Sequence, residues 1–303
     1  MKKKIRVGSR ESALAMTQTT WVINEIKKKH QNLEFEIVGI KTKGDMVLDT
    51  RLDKIGGKGL FIKELENALI NKTIDFAVHS LKDMPACLPD ELAISAVSKR
   101  EDPRDALVTL SGACISELGK GAVIGTSSVR REVQIHLIRP DLEFKTLRGN
   151  VNTRLDKLLK NEYDAVVLAA AGLNRLGLGD KIVQYFDMGM MIPAVCQGIL
   201  AIETRRDEDI DFLLESVHCE EAALQARAER AFMIRLNGGC TTPMAAHAIT
   251  EGQMMKIYGM LASEDKSKVC KASLEGSKSD AESLGIKLAD TLYEQIKSGG
   301  KQR

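Results

Sequence analysis

The run Asp75-Phe76-Ala77-Val78-His79-Ser80-Leu81-Lys82-Asp83-Met84-Pro85 sets a cation beside a carboxylate where an apolar segment stops. Ile74, Phe76 and Val78 are the β-branched and aromatic residues of a buried strand. Pro85 prevents a helix from simply continuing. Lys82 and Asp83 therefore stand at the carboxyl end of a strand, with Ser80 just before them, and in open α/β sheets ligands bind at that end. A solvated ion pair in a turn would have the same sequence. What favours a site is that other strands deliver arginines to the same kind of place. Arg10 and Ser12 follow a short strand at residues 5–8. Thr126-Ser127-Ser128-Val129-Arg130-Arg131 follows a strand at 122–125. Arg148-Gly149-Asn150 follows a strand at 142–147, with Arg154 on the next helix, and Arg175 follows strand 165–169 and a turn of small residues. Backbone N–H groups at helix starts attract anions, and guanidinium groups grip carboxylates or phosphates bidentately. The recurrence points to a cleft for a polyanionic small molecule, between two α/β domains.

The elements that would position these residues can be read from periodicity. A helix through Leu14, Val22 and Ile26 follows the first strand, and a second strand spans 35–40. Residues 41–59 have few periodic features but contain Lys43-Gly44-Asp45 and Gly56-Gly57-Lys58-Gly59. The phosphate-loop pattern needs Ser or Thr after Gly-Lys, directly behind a strand. Here Gly59 follows Lys58, so this segment is expected to be a mobile, lysine-bearing lid instead. Helix 60–70, with Ile62, Leu65 and Leu69 on one face, leads to the central strand, and another strand spans 92–97. The charged, proline-containing run Lys99-Arg100-Glu101-Asp102-Pro103-Arg104-Asp105 suits a crossing between domains. A second crossing is Ile192-Pro193-Ala194-Val195-Cys196-Gln197-Gly198, which leads into an apolar strand through Ile202. Helix 219–236 ends in Asn237-Gly238-Gly239, a stop signal that leaves Cys240 sterically open. Strands at 245–249, 255–261 and 269–274 and a helix at 281–296 form an α+β module with its own small core.

Composition sets the limits. The 303 residues suffice for two or three domains, and 44% hydrophobic with 28% charged residues is ordinary for a soluble globular protein. A formal net charge of +2 implies no broad basic face for nucleic acid, so any cationic site must be local. Met1-Lys2-Lys3-Lys4 is followed by no apolar core of signal-peptide length, and no run approaches a membrane span, so a cytoplasmic protein is expected. Cys87, Cys114, Cys196, Cys219, Cys240 and Cys270 lie far apart without a C-x-x-C pair, and the five histidines form no cluster. Neither a disulfide framework nor a metal site is expected. With no evident coiled coil or long exposed apolar strand, the expectation is a monomer.

Taken together, several motifs resemble the porphobilinogen deaminase (hydroxymethylbilane synthase) family over nearly the whole chain. They are Gly8-Ser9-Arg10-Glu11-Ser12, Thr42-Lys43-Gly44-Asp45, Gly56-Gly57-Lys58-Gly59-Leu60-Phe61, His79-Ser80-Leu81-Lys82-Asp83, Gly125-Thr126-Ser127-Ser128-Val129-Arg130-Arg131, Leu147-Arg148-Gly149-Asn150-Val151 and Leu236-Asn237-Gly238-Gly239-Cys240. The resemblance implies two doubly wound, periplasmic-binding-protein-like α/β domains plus a smaller α+β C-terminal domain. Their spans would be 1–98 with 198–216, 103–192, and 219–303, with crossings at 99–102 and 193–197. It implies a dipyrromethane cofactor joined by a thioether to Cys240, onto which four porphobilinogen molecules are added head to tail, each losing ammonia. Asp83 takes the catalytic position: a carboxylate under the ring nitrogens stabilises the azafulvenium and pyrrole cations by charge and hydrogen bonds, and it can relay protons. Lys82, Arg10, Arg130, Arg131, Arg148, Arg154 and Arg175 are implied to bind acetate and propionate arms, with Ser12, Thr126 and Ser128 completing the grip.

Ser80, Lys58 and Gln197 are further site candidates. Phe61 is another, stacking on a pyrrole or packing in the core of its helix. Cys196 stands where the family usually has Gly, Thr241-Thr242 replace Gln-Val, and Asn237 replaces Glu. None of these removes a catalytic group. Two other functions fit parts of the sequence. A two-lobed carboxylate receptor explains the arginines but gives Cys240 no task. A cysteine-nucleophile transferase would pair Cys240 with His247, with no third group evident to orient the histidine.

Overall fold

The computed structural model describes residues 4–42, 62–208, 210–237 and 243–298. They divide into two compact units, Met1–Glu101 with Gly198–Ala223, and Asp102–Gln197 with Leu224–Arg303.

In the first unit, β1 (Lys4–Arg10) passes through Ser12 into α1 (Ala13–Lys29), and β2 (Glu34–Ile40) returns. The Ser12 hydroxyl accepts from Ala15 N, satisfying one of the helix's unpaired donors. Lys27, Lys28 and Lys29 lie in the last turn of α1, where cations suit the helix dipole. Next come α2 (Lys63–Ile70), β3 (Phe76–Ser80), a 3-10 turn at Leu81–Asp83 and β4 (Leu92–Val97). The described part of this helix begins at Lys63, and residue 60, its expected start, lies outside the described residues.

In the second unit, β5 (Asp105–Thr109), β6 (Val123–Gly125), α3 (Val129–Ile138), β7 (Glu143–Lys145), α4 (Val151–Leu159) and β8 (Ala165–Ala169) follow in order. The expected turn of small residues before Arg175 is instead a short helix, α5 (Ala170–Arg175), and β9 (Gln184–Tyr185) comes after it. Ala170 N bonds Arg104 O and Leu173 is fully buried, so packing makes a helix of a segment too short to show periodicity. The chain returns to the first unit through β10 (Leu200–Arg205) and α6 (Asp211–Leu214).

The two sheets share one plan. Their strand orders are β2-β1-β3-β10-β4 and β7-β6-β8-β5-β9. In each, three neighbouring strands are parallel and the fourth, β10 or β5, runs antiparallel to both its neighbours. Apolar residues fill both faces. In the first sheet, Val22, Ile23 and Ile26 of α1 cover Val7, Phe76, Val78 and Ile202 on one face. On the other, Leu65 and Leu69 of α2 pack with Ile74, Ala77 and Leu92. In the second sheet, Ile135 of α3 lies with Leu107, Ile124 and Val167. Leu155 and Leu158 of α4 lie with Val108, Val166 and Leu168. Two-sided burial is what near-continuous apolar strands such as Ala165–Ala169 require.

The C-terminal α+β module belongs to the second unit. It comprises the three-stranded antiparallel sheet of β11 (Met244–Glu251), β12 (Met254–Ala262) and β13 (Val269–Ser277), covered by α8 (Ala281–Ser298) and preceded by α7 (Glu220–Arg235). Ala245, Met260 and Ala262 pack against Val133 of α3 and Ile192. Lys266 Nζ meets Glu132 at 2.7 Å, and Lys271 donates to the carbonyls of Gly189 and Met190. Among the described residues no helix is long and apolar enough to cross a membrane.

Gly198 marks the return crossing. Its φ is +93°, and a Cβ there would lie 2.3 Å from Glu101 O, against backbone that cannot move aside cheaply. Glu101 N bonds Gly198 O, so the two crossing strands of the first unit are laced at this point. Gly198→Ala should destabilise the protein by more than about 1 kcal/mol, read as a lower urea midpoint at unchanged slope.

Candidate functional site

A strand that runs antiparallel to its neighbours begins where they end. Leu200 pairs with Ser80, the last residue of β3, and Asp105 pairs with Ala169, the last residue of β8. Both interdomain crossings therefore arrive at the carboxyl ends of the parallel strands, where the candidate site residues lie.

In the first unit Arg10 is the last residue of β1 and is half-buried. Ser12 caps α1, so its hydroxyl is already an acceptor for the helix. Ser80 ends β3 and is tied to buried Gln18 of α1, which donates to its hydroxyl at 3.1 Å. The 3-10 turn is pinned by buried Leu81 and Met84, and Leu81 N bonds Ile199 O at 2.9 Å. Between these two anchors Lys82 is half-buried and Asp83 is exposed. Among the described residues the Asp83 carboxylate makes no ion pair or hydrogen bond. The turn thus holds up a charged acid on two buried apolar posts.

In the second unit Thr126, Ser127 and Ser128 join β6 to α3. Thr126 is buried and its hydroxyl accepts from Ser128 N, while the Ser127 hydroxyl donates to Leu147 O. Arg148 is half-buried beside Gly149, whose φ of +111° turns the chain into α4 behind its cap Asn150. Arg154 donates through Nε to Gly149 O at 2.8 Å, and Arg175 ends α5, half-buried.

Arg130 and Arg131 sit differently from expectation. They are not open grips at a helix start. Each is 6% exposed and turned onto Asp105. Arg130 takes the carboxylate with two parallel bonds, 2.6 and 3.0 Å, and gives another to Ile192 O. Arg131 reaches it through Nε at 2.9 Å and bonds Val167 O. Gln197 adds its amide to Asp105 at 3.1 Å and to Pro103 O at 2.7 Å, so this candidate ties the second crossing to the first. Asp105, part of the charged run expected to be a solvated crossing, is fully buried at the start of β5. Burial alone would push its carboxyl up. The charges of Arg130 and Arg131 and their hydrogen bonds outweigh that and hold it well below the usual carboxylate range. Two guanidinium groups and one carboxylate leave the cluster one positive charge in excess.

Cys196 has a left-handed backbone, φ +60°, which explains why glycine suits this position. Its N–H donates to Glu229 of α7. The same carboxylate accepts from Ala248 N and faces buried His247 at 3.5 Å. His247 is therefore a buried core residue beside Glu229, and Cys240, its partner in the cysteine-nucleophile reading, lies outside the described residues. Asn237, φ +49°, is the left-handed residue that ends α7. Cys240, Lys58 and Phe61, the proposed lid and Thr241-Thr242 lie outside the described residues.

Sequence reasoning missed Asp105, Gln18, Glu203 and Glu229. For Asp105 a signal existed: the apolar Ala106-Leu107-Val108 directly after it marks a strand start.

Two family descriptions match the chain: "Porphobilinogen deaminase, dipyromethane cofactor binding domain" over residues 5–211 and "Porphobilinogen deaminase, C-terminal domain" over 223–294. Curated relatives named porphobilinogen deaminase include one from Bacillus cereus (strain ZK / E33L), 47% identical over 99% of this chain and 96% of the relative. Another, from Lysinibacillus sphaericus (strain C3-41), is 49% identical over 97% of this chain and 94% of the relative. Among solved structures, the methionine binding protein MetQ is similar at a TM-score of 0.45 and 14% identity, over 70% of this chain and 87% of that one.

The buried cluster can be tested directly. Asp105→Asn leaves two buried guanidinium groups without their anion and should cost about 3–5 kcal/mol in urea unfolding at pH 7. A carboxyl depressed on folding stabilises in full above its unfolded value, about 3.9, and loses that contribution as pH falls through the folded value. The wild type should therefore lose stability below about pH 4, and Asp105→Asn should lose less over the same range.

Proposed function

The chain belongs to the porphobilinogen deaminase family, and from that premise we propose that Asp83 is its catalytic carboxylate and that the strand-end cations hold the acid arms of substrate and cofactor. The protein is a transferase of tetrapyrrole biosynthesis with a dipyrromethane cofactor. It joins four porphobilinogen molecules head to tail with loss of ammonia and releases hydroxymethylbilane.

The observation that carries the assignment is the placement of Asp83: an exposed acid, free of any partner among the described residues, on a turn whose neighbours are buried. An exposed carboxylate can take up a proton and give it back, which departure of an amine and closure of each coupling both require. Held as an anion, it accepts hydrogen bonds from pyrrole N–H groups and favours positive charge developing on the substrate ring. Because the turn is anchored before substrate arrives, little reorganisation accompanies the charge change.

The donor set suits a group rich in carboxylates. Arg10 and Lys82 in the first unit, and Arg148, Arg154 and Arg175 in the second, are half-buried. The Arg130–Arg131–Asp105 cluster adds one excess positive charge that a further carboxylate would balance. Ser12, Ser80, Thr126 and Ser128 serve chiefly by shaping these ends, since their hydroxyls or amides already bond within the protein. Cys240 is assigned as the thioether attachment point for dipyrromethane, which when bound supplies the pyrrole carbon that receives the first substrate. We further assign the three spans 1–98 with 198–216, 103–192 and 219–303 as functional domains, and a cytoplasmic monomer as the working form.

Intact-protein mass spectrometry should show added mass equal to two joined pyrroles, absent in Cys240→Ser. An unmodified mass in protein shown not to be an apo preparation would count against the attachment. Asp83→Asn should keep that mass while kcat falls by about 10²–10³. Near-normal turnover would remove Asp83 from the chemistry.

A further inference from the structure

The mechanism above leaves a buried His–Glu contact of the first unit unused. His79 Nε2 lies 3.0 Å from a Glu203 carboxylate oxygen, with the two side chains 4% and 0% exposed. Among the described residues neither the Glu203 oxygens nor His79 Nε2 has a well-formed hydrogen bond, so the two groups face each other, as an ion pair when the imidazole is protonated. An unpaired carboxylate buried this deeply would cost several kcal/mol. A pair of apolar side chains would stabilise such a core as well or better, so the question is what an ion pair does here.

Its position answers. His79 is the penultimate residue of β3, and Ser80 leads directly into the turn bearing Lys82 and Asp83. Glu203 is on β10, where Ala201 pairs with His79 and Glu203 with Ala77, so the two side chains emerge on the same face of adjacent strands. On the opposite face Ser80 is held by Gln18, and Leu81 N is held by Ile199 O at the start of the same seam. The strand end before Asp83 is thus gripped from both faces. The surroundings sharpen the pairing. Glu66 of α2 faces the pair, and burial, then the Glu203 charge, push its carboxyl up, with His79 and Lys63 opposing. Arg205, two residues along β10, is committed to Leu69 O, Ile74 O and Glu208.

We propose that His79 and Glu203 are positioning residues whose buried contact locks β3 to β10 and so fixes the place of the Asp83 carboxylate during turnover. The proposal rests on the catalytic reading of Asp83. An ion pair suits the task because it specifies one register and one partner, where apolar packing tolerates small slides.

The test uses primer-bearing enzyme, verified by intact mass, carrying Glu203→Gln, His79→Gln or both. Each single variant should lower kcat by about 10- to 100-fold with KM within about twofold, as expected when a reacting group is displaced by roughly an ångström. The double variant should be no slower than the slower single. Amides of Leu81–Asp83 should exchange faster with deuterium in each. If thermal stability falls while kcat per primer-bearing molecule is unchanged, or if the two single effects multiply in the double, the proposal is overturned. In an Asp83→Asn background, Glu203→Gln should slow the residual reaction no further. Should Asp83→Asn itself turn over normally, the Asp83 reading fails. Should Asp83→Asn be slow and Glu203→Gln normal, only the positioning role fails. Glu203→Asp, which keeps the charge but withdraws it, gives the same decision if the glutamine variant does not accumulate.

Discussion

An antiparallel strand set fourth among parallel ones is the constraint from which the rest of each unit follows. Such a strand must begin at the carboxyl edge of its neighbours, so the segment feeding it is delivered to that edge without any special loop. β5 and β10 are both strands of this kind, and both are fed by segments that cross from the other sheet's portion of the sequence. Carboxyl edges are also where parallel strands leave helix N-termini and unpaired N–H groups. The same topology therefore places crossings, arginines and the Asp83 turn at one edge of each sheet. Function enters by choice of residue at those positions, not by a change of fold.

Buried carboxylates hold these edges together, and each joins segments distant in sequence. Asp105 binds Arg130, Arg131 and Gln197; Glu203 meets His79; Glu229 accepts from Cys196 and Ala248 and faces His247. An apolar core can bury these strands but does not distinguish one register from its neighbour by much. A buried carboxylate held by particular partners does, because a slip that leaves it unpaired costs several kcal/mol. The arrangement gives up some stability and gains definition where reacting groups must be placed to a fraction of an ångström.

The fold was largely legible because its signals are local. Residues 74–78 alternate and end in polar residues, Ser12 and Asn150 announce helix starts, and 165–169 is an apolar run of strand length. Three elements were not legible in full. The segment Ala170-Ala171-Gly172-Leu173-Asn174-Arg175 is too short for helical periodicity, β9 has two residues, and β7 is half its expected length. The site was legible in residue type and not in partnership. Arg130 and Arg131 announce that an anion is needed, but sequence does not say whether ligand or chain supplies it. Asp105 supplies part, and its charge had looked solvated only because the neighbours in sequence are charged. His79 was visible inside its motif. Glu203 was not, since it lies on a strand reached only after the chain has crossed to the second unit and returned, far in sequence from His79.

The same distinction separates the cations by what already holds them. A guanidinium group that satisfies most of its donors inside the protein gains little from a new anion unless the cluster carries uncompensated charge. Arg139 is of the first kind: its donors go to Asp141 and to the carbonyls of Ile115 and Leu118, which makes it a structural clamp. Arg130 and Arg131 also make buried bonds, yet together they exceed Asp105 by one charge, so an incoming carboxylate would complete them. Arg10, Arg148, Arg154 and Arg175 are half-buried. A half-buried arginine loses less solvation on binding than a fully exposed one. Under the proposed function, recognition of a carboxylate-rich ligand falls to half-buried arginines and one pre-charged cluster, and the chemistry to Asp83.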